Sequence, residues 1–346
     1  MAPPSTRITF PNNIVNLHDL AALILDCHGR TESLLPTAHL IEVNRGTTPI
    51  QTLPSGALAP QWHAREIFNS PRVAYILQHT TGSTERVGID AFASTEAVKL
   101  PPGSPTLTRK ELEDIYWRCK DYDQGYVLAY VFQEVIKRLA PNTTLLARTS
   151  SGYETKCRPS EYTVAEIDVS PHQACLIVDT EPRPDLGPTR LGMAQHLSGF
   201  DDNIPWVFLV FGKPGTTGDA ATDPRVAVDL SIPQLGGRGG GGELFALERL
   251  GNYHGKVLSA CADEVSERYD LSLEIRLTSD KLKDASALLK VVLDTLEKVT
   301  KDEAGFCRYC GKIGVKTRCS KCREAAFCPD CQVLGWKYHK VWCTKP

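Results

Sequence analysis

The spacing Cys307-x2-Cys310-x8-Cys319-x2-Cys322-x5-Cys328-x2-Cys331-x7-His339-x3-Cys343 constrains this chain more than any other feature. Seven of the 12 cysteines fall within it, and the other five are scattered before residue 262. A C-x2-C turn lets two thiolates converge on one ion while backbone N–H groups of the turn point at the sulfurs. His339 and Cys343, four residues apart, share one face of a helix and can close a site together. Eight such ligands make two tetrahedral zinc sites with no open position, the mark of structural rather than catalytic metal. Disulfides are the competing explanation. They are set aside because the opening Met1 to Arg7 has no apolar signal core and the cysteine count is odd on each side of residue 300.

A unit of about 40 residues cannot bury enough apolar surface to fold unaided, whereas structural zinc supplies on the order of 10–16 kcal/mol of apparent binding energy that is also folding energy. The tail of the chain is therefore expected to be unfolded without its metal.

With these ligands, the segment Phe327-Cys328-Pro329-Asp330-Cys331-Gln332, followed by Trp336, His339 and Lys340, resembles the MYND-type zinc finger over residues 306–346. The resemblance implies a two-zinc cross-brace in which Cys307, Cys310, Cys328 and Cys331 hold one Zn2+ and Cys319, Cys322, His339 and Cys343 hold the other. It also implies docking of a short proline-containing peptide of a partner protein, with Gln332 and Trp336 as contacts. The alternative for Trp336 is a core aromatic covering the zinc. Three departures stand: Phe327 where Tyr is usual, Pro329 where Ser is frequent, and two residues between Cys328 and Cys331 where three are usual.

Charge is unevenly spread. The chain has 39 Lys+Arg against 41 Asp+Glu, but residues 306–346 hold nine basic and two acidic residues, a formal +7. Seven thiolates and two Zn2+ bring the loaded segment to about +4, leaving −9 for residues 1–305. The basic residues are interspersed with ligands and aromatics, and no helix is free to enter a groove, so a peptide partner is expected and direct nucleic-acid contact is not.

Ahead of the finger the sequence reads as an α+β domain over 8–277, after a disordered start at 1–7. Apolar runs bounded by Gly, Pro, Asn or Asp predict strands at 72–78, 174–178, 205–211 and 271–277. Thr108 with Glu111 forms a capping-box pattern opening a helix to about residue 119, and further helices are expected at 124–139 and 16–28. A connecting amphipathic helix spans 279–302, its stripe of Leu282, Ala285, Leu288, Leu289, Val292, Leu293, Leu296 and Val299 expected to pack onto the preceding domain. Surface loops are placed at 100–105, 181–188, 214–219 and 236–242. The last formally satisfies G-x-G-x-x-G but is read as a flexible loop.

No enzyme motif survives this reading, and no catalytic residue is assigned. The zinc ions are the only cofactors implied. No apolar run approaches the length needed to cross a bilayer, so a cytoplasmic or nuclear location without membrane association is expected. The expected function is a zinc-binding adaptor, in a setting such as transcriptional regulation. The alternative is an enzyme of unrecognised class in 8–277 that the finger recruits to partners.

Overall fold

A computed structural model of the 346-residue chain describes residues 7–46, 48–54, 56–67, 71–80, 82–93, 98–182, 191–200, 203–215, 223–264, 270–301 and 303–344. The disordered start expected at 1–7 lies outside these residues except for Arg7, as do most of the loops expected at 181–188 and 214–219.

Three sheets and a set of helices form a mixed α/β body ahead of the finger. The first sheet has strand order β1 (Ile14–Asn16), β4 (Thr144–Arg148), β5 (Glu154–Cys157), with β1 parallel to β4. The second, antiparallel throughout, runs β11 (Ala246–Arg249), β10 (Val226–Asp229), β9 (Ile204–Phe211), β6 (Tyr162–Pro171). Both β12 (Ala262–Glu264) and β13 (Asp270–Ser272) pair with β6. The third runs β2 (Ala38–Asn44), β3 (Arg72–His79), β7 (Ala174–Pro182), β8 (Leu191–Ser198), and within it β3 and β7 are parallel.

The near-continuous apolar run of β9 is explained by what lies on its two faces. Val207, Leu209 and Phe211 enter the main core, while Trp206, Phe208 and Val210 enter a second core with Tyr253, Val257 and Leu258. A strand covered on both faces has no reason to alternate with polar residues. The same logic splits β3, whose Val73, Tyr75 and Leu77 face the main core and whose Ala74 and Ile76 meet Trp62 behind the sheet.

The main core is built on helices α1 (Leu17–Thr31), α4 (Arg109–Lys120), α5 (Gly125–Lys137) and α7 (Ser279–Thr300). Shorter helices are α2 (Pro60–Ile67), α3 (Ile89–Phe92), α6 (Leu250–Asn252) and α8 (Trp336–Trp342). Asn16 caps α1, its side-chain oxygen accepting from His18 N, and Thr108 and Glu111 form the reciprocal capping box of α4. The stripe of α7 buries Ala285, Leu288, Val292 and Leu296 against α1 and α5, while Leu282, the first residue of the expected stripe, is exposed.

Two expectations are corrected. The strand expected at 271–277 pairs only over Asp270–Ser272. Beyond it, the side chain of Gln133 takes over the ladder's role: its Nε2 donates to the Leu273 carbonyl at 2.8 Å and its Oε1 accepts from Ile275 N at 3.1 Å. The glycine-rich segment 236–242 is packed rather than flexible. A Cβ on Gly239, Gly240 or Gly241 would lie 2.2–2.4 Å from the Phe245 carbonyl, Glu248 or Glu243. These three glycines let the backbone close over buried carboxylates, so bare backbone at this point is a packing requirement.

One buried acid makes stability depend on pH. Asp121, directly after α4, is fully buried 3.3 Å from His28 Nε2, and neither of its oxygens accepts a hydrogen bond. Burial pushes its carboxyl up from 3.8 to about 6, against the pull of the His28 imidazole. The folded chain therefore takes up this proton before the unfolded chain does. The contribution is complete below the unfolded value and is lost as pH rises through about 6. A shift of this size corresponds to about 3 kcal/mol. Asp121→Asn is expected to be more stable than the parent by about 2–3 kcal/mol near pH 7, with the difference shrinking toward pH 4 in urea unfolding. A difference that stays constant over that interval would contradict this account.

Candidate metal centre

Local turns carry the ligands into place. Gly311, in the left-handed region at φ 78°, donates its N–H to the Cys307 carbonyl at 2.9 Å and closes the first C-x2-C turn. Arg323 closes the second, bonding to the Cys319 carbonyl at 2.9 Å with φ 59°, a conformation more costly for arginine than for glycine. Pro329 to Cys331 form a single 3-10 turn, Cys331 N bonding to Cys328 O at 3.1 Å, so the two-residue gap still turns both thiols the same way. Helix α8 then presents His339, with Cys343 directly after its end.

These turns bring together Cys307, Cys310, Cys328 and Cys331 in one group and Cys319, Cys322, His339 and Cys343 in another, the ligand atoms of each lying within 4.8 Å of one another. A tetrahedral ion with Zn–S near 2.3 Å and Zn–N near 2.0–2.1 Å requires S···S edges of about 3.8 Å and S···N edges of about 3.5 Å. The Cys319–Cys343 and Cys310–Cys328 sulfur separations are 3.8 and 3.9 Å, and Cys322 Sγ lies 3.5 Å from His339 Nε2. The donor sets thus fit two Zn2+ ions, interleaved along the chain as a cross-brace. Residues 307–343 match the MYND finger family. That match covers the finger alone, and no curated protein and no solved structure matches the chain.

Within the MYND finger the turn that presents Cys319 favours its thiolate. Backbone donation from Cys322 pulls the Cys319 thiol down to about 6. When bound, zinc replaces the missing hydrophobic core with fixed crosslinks and neutralises clustered thiolates. Phe327 and His339 pack edge to face at 5.3 Å beside the second site.

The finger is seated on the α/β body through contacts that sequence reading missed. Tyr309 Oη accepts from Arg238 Nη1 at 2.7 Å and lies 3.1 Å from Glu113 Oε2 and from the Gly242 carbonyl. Arg238, in the glycine-rich segment, also pairs with Glu113 at 2.7 Å and with Asp114. Arg308 pairs with Asp19 on α1 at 3.0 Å, and Trp342 Nε1 donates to the Thr149 carbonyl at 2.9 Å. His18 stacks flat on Tyr338, ring centroids 3.6 Å apart, with Asp19 and Glu243 carboxylates 3.9 and 3.8 Å from its two nitrogens. Burial works against a charged His18, but those two carboxylates outweigh it and hold the imidazole above its ordinary range.

The opposite face is open. Val333 is 83% and Trp336 47% exposed, and Gln332, Lys337 and Lys340 are exposed beside them. Trp336 sits 5.8 Å from His339, ring to ring, so it touches the metal-ligand layer while leaving much of its indole in solvent.

Among the histidines that looked isolated in sequence, His79 stands out. Its Nδ1 is 2.6 Å from Thr37 Oγ1 and its Nε2 2.7 Å from Asp179 Oδ1. Thr37 is buried. The series joins the turn before β2 to β3 and β7, and its hydroxyl is not accessible.

Proposed function

We propose that the protein is a zinc-binding adaptor whose MYND finger docks a proline-containing peptide of a partner protein, with Gln332 and Trp336 as the contact residues. The observation that carries this reading is the asymmetry of the finger. Tyr309 and Tyr338 are buried and Trp342 is hydrogen-bonded to the body, whereas Trp336 and Val333 are left in water on the far side. A half-exposed indole beside an apolar residue and an amide suits a proline ring stacked on an aromatic face with the amide bonding the peptide backbone. Residues 8–277 and the helix at 279–302 form the body that carries the finger, and the setting proposed is transcriptional regulation in the cytoplasm or nucleus. No helix among the described residues is long and apolar enough to cross a membrane.

Fluorescence polarisation with a panel of short proline-containing peptides and their alanine counterparts tests the reading. Trp336→Ala is expected to weaken the best binder by about 2 kcal/mol, roughly thirtyfold, with zinc content unchanged. Failure of every proline peptide to bind, or equal binding by the variant, sinks it. Binding of duplex DNA that falls steeply with salt and persists in Trp336→Ala would favour a nucleic-acid partner instead.

A further inference from the structure

His18 sits where α1, the segment before β11 and α8 of the finger meet, and it is 1% exposed. Its ring lies flat on Tyr338, the two planes 7° apart, and edge-on to Phe245 with centroids 4.9 Å apart. Asp19 Oδ1 approaches Nδ1 at 3.9 Å, and Glu243 Oε1 approaches Nε2 at 3.8 Å. Both nitrogens are buried, and neither has a hydrogen-bond partner among the described residues.

A neutral imidazole carries a hydrogen on one nitrogen and a lone pair on the other. With a carboxylate facing each nitrogen, either tautomer turns a lone pair toward negative charge in a site that water does not screen. Only the imidazolium presents a hydrogen to both. The second oxygen of each acid is engaged elsewhere: Asp19 Oδ2 pairs with Arg308 of the first zinc turn at 3.0 Å, and Glu243 Oε2 accepts from Gly241 N at 2.7 Å. Farther out stand Arg148 of β4, paired with Glu154, and Glu248 of β11, which accepts from Ser150 and Ser151. Burial holds the Tyr338 hydroxyl protonated, so its ring meets His18 as a neutral π face.

We propose that the proton on His18 latches the α8 side of the finger to the body, which makes the seating of the finger dependent on pH. Both carboxylates belong to the body and the Tyr338 ring to the finger, so the charge between them spans the joint. An imidazolium is drawn to the face of an aromatic ring, and a neutral imidazole lacks that attraction. Burial opposes the charge, but Asp19 and Glu243 hold His18 above its ordinary range while the finger is seated. The latch is therefore complete below the value for unseated histidine and is lost as pH rises through the seated one. Arg238, charged throughout, keeps the Tyr309 side in place.

An NMR titration of the zinc-loaded full chain between pH 6 and 9, with 13C-labelled histidine and 15N-labelled tryptophan, tests the proposal. The Cε1 resonance of His18 reports its charge. The Trp342 indole N–H, which donates to the Thr149 carbonyl, reports seating through its protection from exchange, corrected for the intrinsic rise with hydroxide. His18 is expected to titrate above the ordinary histidine value, and Trp342 protection to fall about tenfold over the same interval. His18→Gln, which carries no charge, is expected to show the low protection at every pH. A His18 titration at or below the ordinary value, protection that stays constant while His18 titrates, or parent-like protection in His18→Gln overturns the proposal. If His18→Gln does not fold, the titration of the parent chain decides.

Discussion

Removing zinc from the full chain is expected to unfold residues 306–344 and to weaken what remains. The finger's own core is a small cluster around the ligands, including Tyr309, Ala325 and Phe327, so its stability rests on the metal. The apparent binding energy of structural zinc, on the order of 10–16 kcal/mol for two-state fingers, exceeds anything so small a cluster supplies. The effect should reach further than the tail, because the finger shields His18, Asp19 and the 236–242 segment. With a strong zinc chelator, all seven tail thiols become rapidly alkylated and the α8 helical signal is lost. The body's unfolding temperature falls by on the order of 5–10 °C, as expected from losing a few kcal/mol in a domain of this size. An unchanged body transition alongside an unfolded tail would show that docking contributes nothing to the body, and slow alkylation in metal-free protein would refute the dependence on zinc.

The second large effect is expected at Arg238. Its guanidinium joins Glu113, Asp114, the Gly242 carbonyl and Tyr309, and its side chain is only 11% exposed. Burial opposes the charged form, but the Tyr309 oxygen and the two acids hold the guanidinium firmly protonated. Arg238→Ala leaves Glu113 buried beside Asp114 with no cation between them, a loss of about 3–5 kcal/mol for a broken buried pair. Arg238→Lys restores the charge but not the planar fork and should recover part of it. Tyr309→Phe, which removes one hydroxyl, should cost about 1 kcal/mol. Urea denaturation at neutral pH orders the three variants, and a change under 1 kcal/mol for Arg238→Ala would contradict the assignment.

The parts of the molecule that depend on neighbours in sequence were legible in advance. The capping box at Thr108 and Glu111, the helix starting after Asn16 and each local ligand pair of the finger follow from spacings of two to four residues within turns and helices, while the sharing of pairs between the two ions is what the resemblance to the MYND finger implied. What escaped was long-range. Gln133 captures the backbone at Leu273, 140 residues away, and so ends a strand whose apolar residues suggested it would continue. The glycine run looked like a solvated loop because composition does not show that Glu243, Glu248 and Phe245 fill the space beside it. Arg238 and Tyr309, 71 residues apart, carry no mutual signal in a single sequence. Asp121 is likewise an ordinary residue until α4, which ends just before it, is packed and its carboxyl is buried.

Gly311 illustrates what close seating does to the finger's reach. A methyl group at its α-carbon would sit 2.0 Å from the Ala22 carbonyl, so the first zinc turn lies directly against helix α1. A module hung from a slack linker samples many bearings, and the length of the linker sets how often its cargo meets the rest of the protein. Here the angle is fixed by contact. A partner captured at Trp336 would be carried at one orientation and one separation from the sheets, turning recruitment into alignment.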